Sequence, residues 1–154
     1  MRALRSVRVT EHLTSGPGMF AVTRYRVRAP DRLAFATDRG YENVTIGRRQ
    51  WMRTRSTPWT RMAGDGAEPF SVARWFRWVN DATSVRRLRR TRQGGRAMTE
   101  LALMEPGTPL WSRLLIDDRT GRVVRERMIT KAHFMTSRYT SFNDPLRIEA
   151  PRGH

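Results

Sequence analysis

The sequence predicts an α+β domain, mostly β: a curved antiparallel meander packed on one main amphipathic helix. Three observations predict it. Apolar and polar residues alternate with a period of two over most of the chain, Gly, Pro, Asn and Asp interrupt that alternation at short intervals, and the period changes to the helical one in a single place. At 154 residues the chain fits one domain that hides roughly 70% of the surface its unfolded form exposes. Residues 1–151 are read as that domain and 152–154 as a disordered tail.

In Ser6–Leu13 the residues Val7, Val9 and Leu13 share one side, as a strand with one buried face requires, and Thr14-Ser15-Gly16-Pro17-Gly18 supplies a turn. Met19 to Arg28 alternates again, with Met19, Ala21, Thr23, Tyr25 and Val27 on one face and Arg24, Arg26 and Arg28 on the other. Ala29-Pro30-Asp31 stops that strand. Leu33, Phe35 and Thr37 continue the spacing to a turn at Asp38-Arg39-Gly40, and Tyr41–Arg49 with Gln50–Arg55 reads as a hairpin broken near Gly47. A short piece surrounds Trp59, and Ala63–Ala67 has a linker's composition.

Val72, Trp75, Phe76 and Val79 then fall at i, i+3, i+4 and i+7, which predicts an amphipathic helix from Pro69 to about Ala82 with Ser71 as its N-cap. Val85–Arg92 and Arg96–Met104 read as two strands joined at Gln93-Gly94-Gly95, a hairpin signal. Leu110–Asp117 turns through Asp118–Gly121 into Arg122–Ile129, with glycine placed where a four-residue hairpin loop commonly needs a positive φ. His133–Phe142 and Leu146–Ile148 close the chain as further strands.

Composition narrows the chemistry. The chain has no cysteine, so disulfides, thiolate zinc sites and cysteine nucleophiles are excluded. No apolar run approaches the ~20 residues of a membrane-spanning helix. The first residues hold no stretch of signal-peptide length, which fits either a cytoplasmic protein or a segment of a longer chain. Thirty basic residues against 14 acidic ones give a net charge of +16, and Lys131 is the only lysine. That charge is compatible with a solvated outer face, with an anionic membrane surface or acidic partner, and with nucleic acid. The arginines spread from Arg2 to Arg152 with one dense cluster at Arg86–Arg92, and this dispersal favours the first reading over the last.

A catalytic site finds little to stand on. The histidines are His12, His133 and His154, and no serine sits in a nucleophile elbow. Asp117 and Asp118 are adjacent in a turn, where aspartate caps its own backbone. Glycine-rich phosphate-binding motifs are absent, so neither an enzyme nor a cofactor is predicted. His133 and Met135 could ligate copper from one face of a strand, although scattered methionines more often fill irregular cores or pockets. Arg24-Tyr25-Arg26 with Trp51 and Arg53 could imitate a base-stacking strand, but aromatics inward and arginines outward explain the same residues. A remaining possibility is an apolar cavity enclosed by the meander and the Trp/Phe-faced helix.

The segment from Pro109 to Val124, followed by His133-Phe134-Met135 and Tyr139–Asn143, resembles the C-terminal half of the LolA/LolB and LppX/LprG-like lipoprotein-carrier superfamily, with its actinobacterial relatives nearest. The Leu4–Val7 strand, the Gly-Pro-Gly turn and Pro30-Asp31-Arg32 resemble that family's opening. The resemblance implies an incomplete antiparallel β-barrel wrapped around helices, an extracytoplasmic location, no enzymatic activity, and a concave face that holds a lipid, an acyl chain or another hydrophobic ligand. The chain departs from secreted carriers in lacking a signal peptide, a lipid-attachment cysteine and most of the helix before the first strand, as a domain of a larger membrane-anchored protein would. The family supplies no catalytic residues to transfer, so the candidate cavity lining rests on facing: Val72, Trp75, Phe76 and Val79 of the helix, with Tyr25, Phe35, Trp51, Leu101 and Trp111 of the sheet. The competing reading is a solid-cored structural or regulatory domain whose basic face docks a partner.

Overall fold

A computed structural model describes residues 4–62, 69–72, 81–107 and 110–152. Among them the regular elements are eleven strands: β1 (Ser6–Gly16), β2 (Met19–Arg28), β3 (Arg32–Thr37), β4 (Glu42–Ile46), β5 (Arg49–Arg53), β6 (Thr60–Met62), β7 (Thr83–Gln93), β8 (Arg96–Met104), β9 (Trp111–Asp117), β10 (Arg122–Ile129) and β11 (Phe134–Thr140). They form one antiparallel sheet in the order β6-β5-β4-β3-β2-β1-β11-β10-β9-β8-β7. Two meanders, β1 to β6 and β7 to β11, are joined where β1 pairs with β11. That single long-range pairing places the start and end of the strand sequence at the middle of the sheet.

The predicted α+β class is therefore corrected to almost entirely β among the described residues. Periodicity records which side chains can share a face, not which backbone hydrogen bonds form, and one fourteen-residue run at helical spacing weighs little beside so many at spacing two. The helix expected over Pro69–Ala82 falls mostly on 73–80, outside the described residues. What is described of that stretch packs on the sheet: Val72 is buried in the main core, and Phe70 and Ala82 lie against it.

Turn chemistry fixes the registers. Gly94 and Gly95, at φ 55° and 76°, supply the two successive positive dihedrals of a tight primed turn, and β7 and β8 pair from Gln93 and Arg96 outward. At the β9–β10 turn Asp117 Oδ1 accepts hydrogen bonds from the backbone N–H groups of Arg119 and Thr120, both at 3.0 Å, the capping role expected of an aspartate there.

Strands β1, β2, β8, β9, β10 and β11 contribute to one inner face. Its core gathers Val7, Val9, Val27, Leu103, Leu114, Val123 and Tyr139 with Leu4 and Val72. A second cluster, on the outer face, joins Ala34, Val44 and Trp51 to Ile148. The last segment, expected as a strand over Leu146–Ile148, is instead an extended strap outside the ladder. Its alternation still reports burial: Leu146 and Ile148 are buried while Arg147 and Glu149 are exposed. Arginine side chains replace the missing strand partner, since Arg28 donates to the Leu146 carbonyl at 3.2 Å and Arg32 to that of Ile148 at 2.6 Å.

Candidate ligand-binding site on the inner face

Strand pairing places a polar row in the middle of an otherwise apolar face. Glu11 on β1 stands opposite Ser137 on β11, and Ser137 opposite Glu126 on β10. The row before it holds Val9 and Tyr139; the row after it holds Leu13, Met135, Met128 and Ser112. Ser137 and Ser112 are small where their neighbours are large, and the space they leave is a cavity of about 240 Å3. Val9, Leu110, Met128 and Met135 form its apolar wall, and Glu11, Glu105 and Glu126 bring carboxylates to it.

Both central carboxylates are held by tyrosines. Tyr139 donates its hydroxyl to Glu126 Oε2 at 2.6 Å, a buried bond, and Tyr25 donates to Glu11 Oε1 at 3.2 Å. Burial holds the Glu126 carboxyl above the usual carboxylate range; the Tyr139 hydrogen bond works against that rise, and the negative charge of Glu11 works with it. Glu11 is raised as well, by burial, with the Tyr25 bond opposing. Burial, and then the charge of Glu11, pushes the Tyr25 hydroxyl up to about 12, and Tyr139 is raised for the same reasons by burial and Glu126. Two carboxyls that resist ionisation, beside methionine and leucine, suit a ligand with an apolar body and a hydrogen-bonding or cationic end.

The residues nominated from the sequence divide. Tyr25 and Phe35 meet on the inner face with ring centroids 5.5 Å apart, and Phe35 stacks on Tyr41 at 5.8 Å, so an aromatic row leads away from Glu11 across β2 and β3. Leu101 stands opposite Leu114 on the same face, and Val72 lies in the core. Trp51 is buried in the outer-face cluster beneath Ile148. Trp111, 45% exposed, pairs with Ile129 and Met104 on the outer face. Trp75, Phe76 and Val79 lie outside the described residues.

His133 and Met135 do not share a site. The His133 ring bonds the Ser15 hydroxyl at 2.8 Å, while Met135 lines the cavity. Among the described residues no group of three or more His, Asp or Glu side chains is placed to hold a metal ion.

Glu11 and Glu126 were missed by sequence reasoning. The signal for Glu11 was present, because it occupies the inward phase between Val9 and Leu13. Glu126 was hidden by the irregularity between Val123 and Arg125, which shifts the phase of β10 by one residue.

The architecture, one open antiparallel sheet built of two meanders, is similar to that of solved bacterial proteins, a lipoprotein among them. The chain is similar in fold to the lipoprotein LppX of Mycobacterium tuberculosis, with a TM-score of 0.67 and 14% identity over 96% of this chain and 91% of that one. It is similar also to LprF of Mycobacterium bovis, with a TM-score of 0.64 and 12% identity over 99% and 91%. A third likeness, to the Pseudomonas aeruginosa MucA/MucB complex, has a TM-score of 0.51 and 17% identity over 90% of this chain and 51% of the other. No protein-family model matches the sequence, and no curated protein does. At 12–17% identity these likenesses are of fold alone.

Proposed function

We propose that the protein is a non-enzymatic carrier domain that works on the outer side of the cytoplasmic membrane, within a membrane-anchored chain, and holds one end of an amphipathic lipid in its inner-face cavity. The observation that carries the reading is the cavity itself, an apolar wall of Val9, Leu110, Met128 and Met135 closed by the carboxyls of Glu11 and Glu126. The likeness to LppX, a lipoprotein, supports it and its location. At about 240 Å3 the space lies just below the usual ligand range of roughly 300–1,000 Å3, so it takes one end of a lipid rather than all of it. The Glu11 and Glu126 carboxyls in its lining select the chemistry of that end: hydroxyl and amine groups find hydrogen-bond acceptors there, and a further carboxylate would add another acid beside two that already resist ionisation. Tyr25 and Phe35, continuing the face beyond Glu11, are the nominated residues best placed to receive the remainder of the chain.

Native mass spectrometry tests this directly. Incubation with a monoacylglycerol is expected to give a one-to-one adduct that denaturation removes, and a fatty acid of equal chain length is expected to bind more weakly. Ser137→Trp, which fills the cavity, is expected to abolish the adduct. Equal binding by Ser137→Trp, or no adduct with the monoacylglycerol, would sink the reading.

A further inference from the structure

One end of the outer face carries a row of side chains that neither the core nor the cavity uses. Phe20 on β2 stands opposite Thr14 on β1, Thr14 opposite Phe134 on β11, and Phe134 opposite Ile129 on β10. Ile129 pairs with Trp111 on β9, and Trp111 with Met104 on β8. The row crosses six adjacent strands, a width of about 24 Å. Phe20, Phe134 and Trp111 are 61, 50 and 45% exposed. Single exposed hydrophobes are ordinary, but three aromatics in one register row with Ile129 and Met104, interrupted only by Thr14, make an apolar edge.

Behind that edge the face turns basic. Two residues further along each strand, about 7 Å away, Arg127 and Arg113 stand directly opposite each other. The next row on the same face holds Arg24, Arg138 and Arg125, the last two again directly opposed. All five are exposed, and among the described residues none forms an ion pair. Like charges facing each other across a ladder destabilise a sheet, so the arrangement is held against the interest of the fold. The turns beside the apolar row are tied together, since Ser15 in the β1–β2 hairpin bonds His133 in the β10–β11 turn, and Lys131 projects from that second turn.

We infer that this end of the outer face docks on a bilayer of anionic phospholipid, with Phe20, Phe134 and Trp111 at the boundary of headgroups and acyl chains and the arginine rows at the level of the phosphates. The stratification carries the assignment. Tryptophan and phenylalanine partition to that boundary, an interfacial face sinks about 5–10 Å, and guanidinium groups chelate phosphate oxygens. A single strand of nucleic acid asks for the opposite arrangement, aromatics interleaved with basic residues along a groove. The docking surface lies on the face opposite the cavity and does not depend on what the cavity holds.

The test is co-sedimentation of the protein with vesicles of phosphatidylglycerol and phosphatidylcholine, against vesicles of phosphatidylcholine alone. Binding to the anionic vesicles is expected, weakening with salt and falling by about tenfold or more in Trp111→Ser with Phe134→Ser and in Arg113→Ser with Arg127→Ser. These side chains are exposed, so the fold survives their loss, and circular dichroism checks it. In the unaltered protein, brominated phospholipid is expected to quench part of the tryptophan emission, and Trp111→Phe to remove that part while vesicle binding persists. No binding to anionic vesicles, equal binding by the apolar variant, or binding without quenching would each overturn the assignment, the last pointing to a purely electrostatic contact such as an acidic protein surface would also make. Ser137→Trp, its fold checked in the same way, is expected to leave vesicle binding unchanged, which separates a failure here from a failure of the cavity reading.

Discussion

The two faces of this sheet are built from the same strands by the same alternation, yet they distribute polarity in opposite ways. The inner face is apolar with two carboxyls at its centre, Glu11 and Glu126, each bonded to a tyrosine. The outer face opposes arginine to arginine, Arg8 to Arg26, Arg125 to Arg138 and Arg113 to Arg127. Inside, a charge is expensive, and each of the two carboxyls is held by a tyrosine hydroxyl. Outside, water screens the charges, so their number can rise without unfolding the sheet. The difference teaches that a net charge of +16 says little about the interior, where the ionisable groups at the cavity are acidic.

The sharpest contrast is in stability. Leu103, 2% exposed on the inner face, is expected to cost about 2–5 kcal/mol when replaced by alanine. Arg127→Ala on the outer face is expected to change stability by no more than about 0.5 kcal/mol. Urea denaturation of both variants measures the ratio, and comparable losses would break the distinction between a packed face and a solvated one.

Tyr139→Phe comes next. It removes the hydroxyl that donates to Glu126 at 2.6 Å and leaves a buried carboxyl without that donor, a loss of about 1–3 kcal/mol. The same change takes away the one influence of Tyr139 that lowers the Glu126 pKa, so the carboxyl is expected to titrate higher still, which carbon-detected NMR of the glutamate side chains can follow.

The inner carboxyls also set the sign of a pH dependence. Burial raises both Glu126 and Glu11 above the ordinary 4.5, so the folded protein keeps protons that the unfolded chain gives up. Below 4.5 both states are protonated at these sites and their contribution is fully present; as pH rises from there through the raised folded values, that contribution is lost. Glu126→Gln keeps an acceptor for Tyr139 and carries no charge. It is expected to be more stable than the unaltered protein at neutral pH and to flatten the slope between mildly acid and neutral conditions. Melting temperatures across that range check it, and an unchanged slope would remove Glu126 from the account.

Much of this was legible in the sequence because alternation and turn residues act locally. Val7, Val9, Tyr25 and Val27 were placed inward by phase alone, and the Gly94-Gly95 and Asp118–Gly121 turns by their chemistry. The failures are nonlocal. Trp51 shares its phase with Arg49 and Arg53, which is the outer one; it is buried because Ile148, far along the chain, covers it. Trp111 was assigned to the cavity on facing, but the inward phase of β9 is Ser112 and Leu114, both buried. The cavity depends on a serine where a larger residue would fill space, and no periodicity marks a small polar residue as a vacancy. The α+β expectation failed for a related reason, since helical spacing over one segment carries no information on how much of the core the sheet supplies.

The smallest expected effect probes the outer face most directly. Arg125 and Arg138 are directly opposed and belong to one exposed row, and a directly opposed like-charged pair costs about 0.2–1 kcal/mol. Arg138→Thr is therefore expected to stabilise the sheet slightly, helped by the strand preference of threonine, and Arg125→Thr likewise. Combining the two is expected to give less than the sum, because the first replacement already removes the repulsion. Added salt should shrink that non-additivity, since screening weakens the repulsion in the unaltered protein. A double-mutant cycle in low and high salt measures both quantities. If each arginine proved stabilising on its own, the row would belong to the fold, and its unpaired charge could no longer be ascribed to docking.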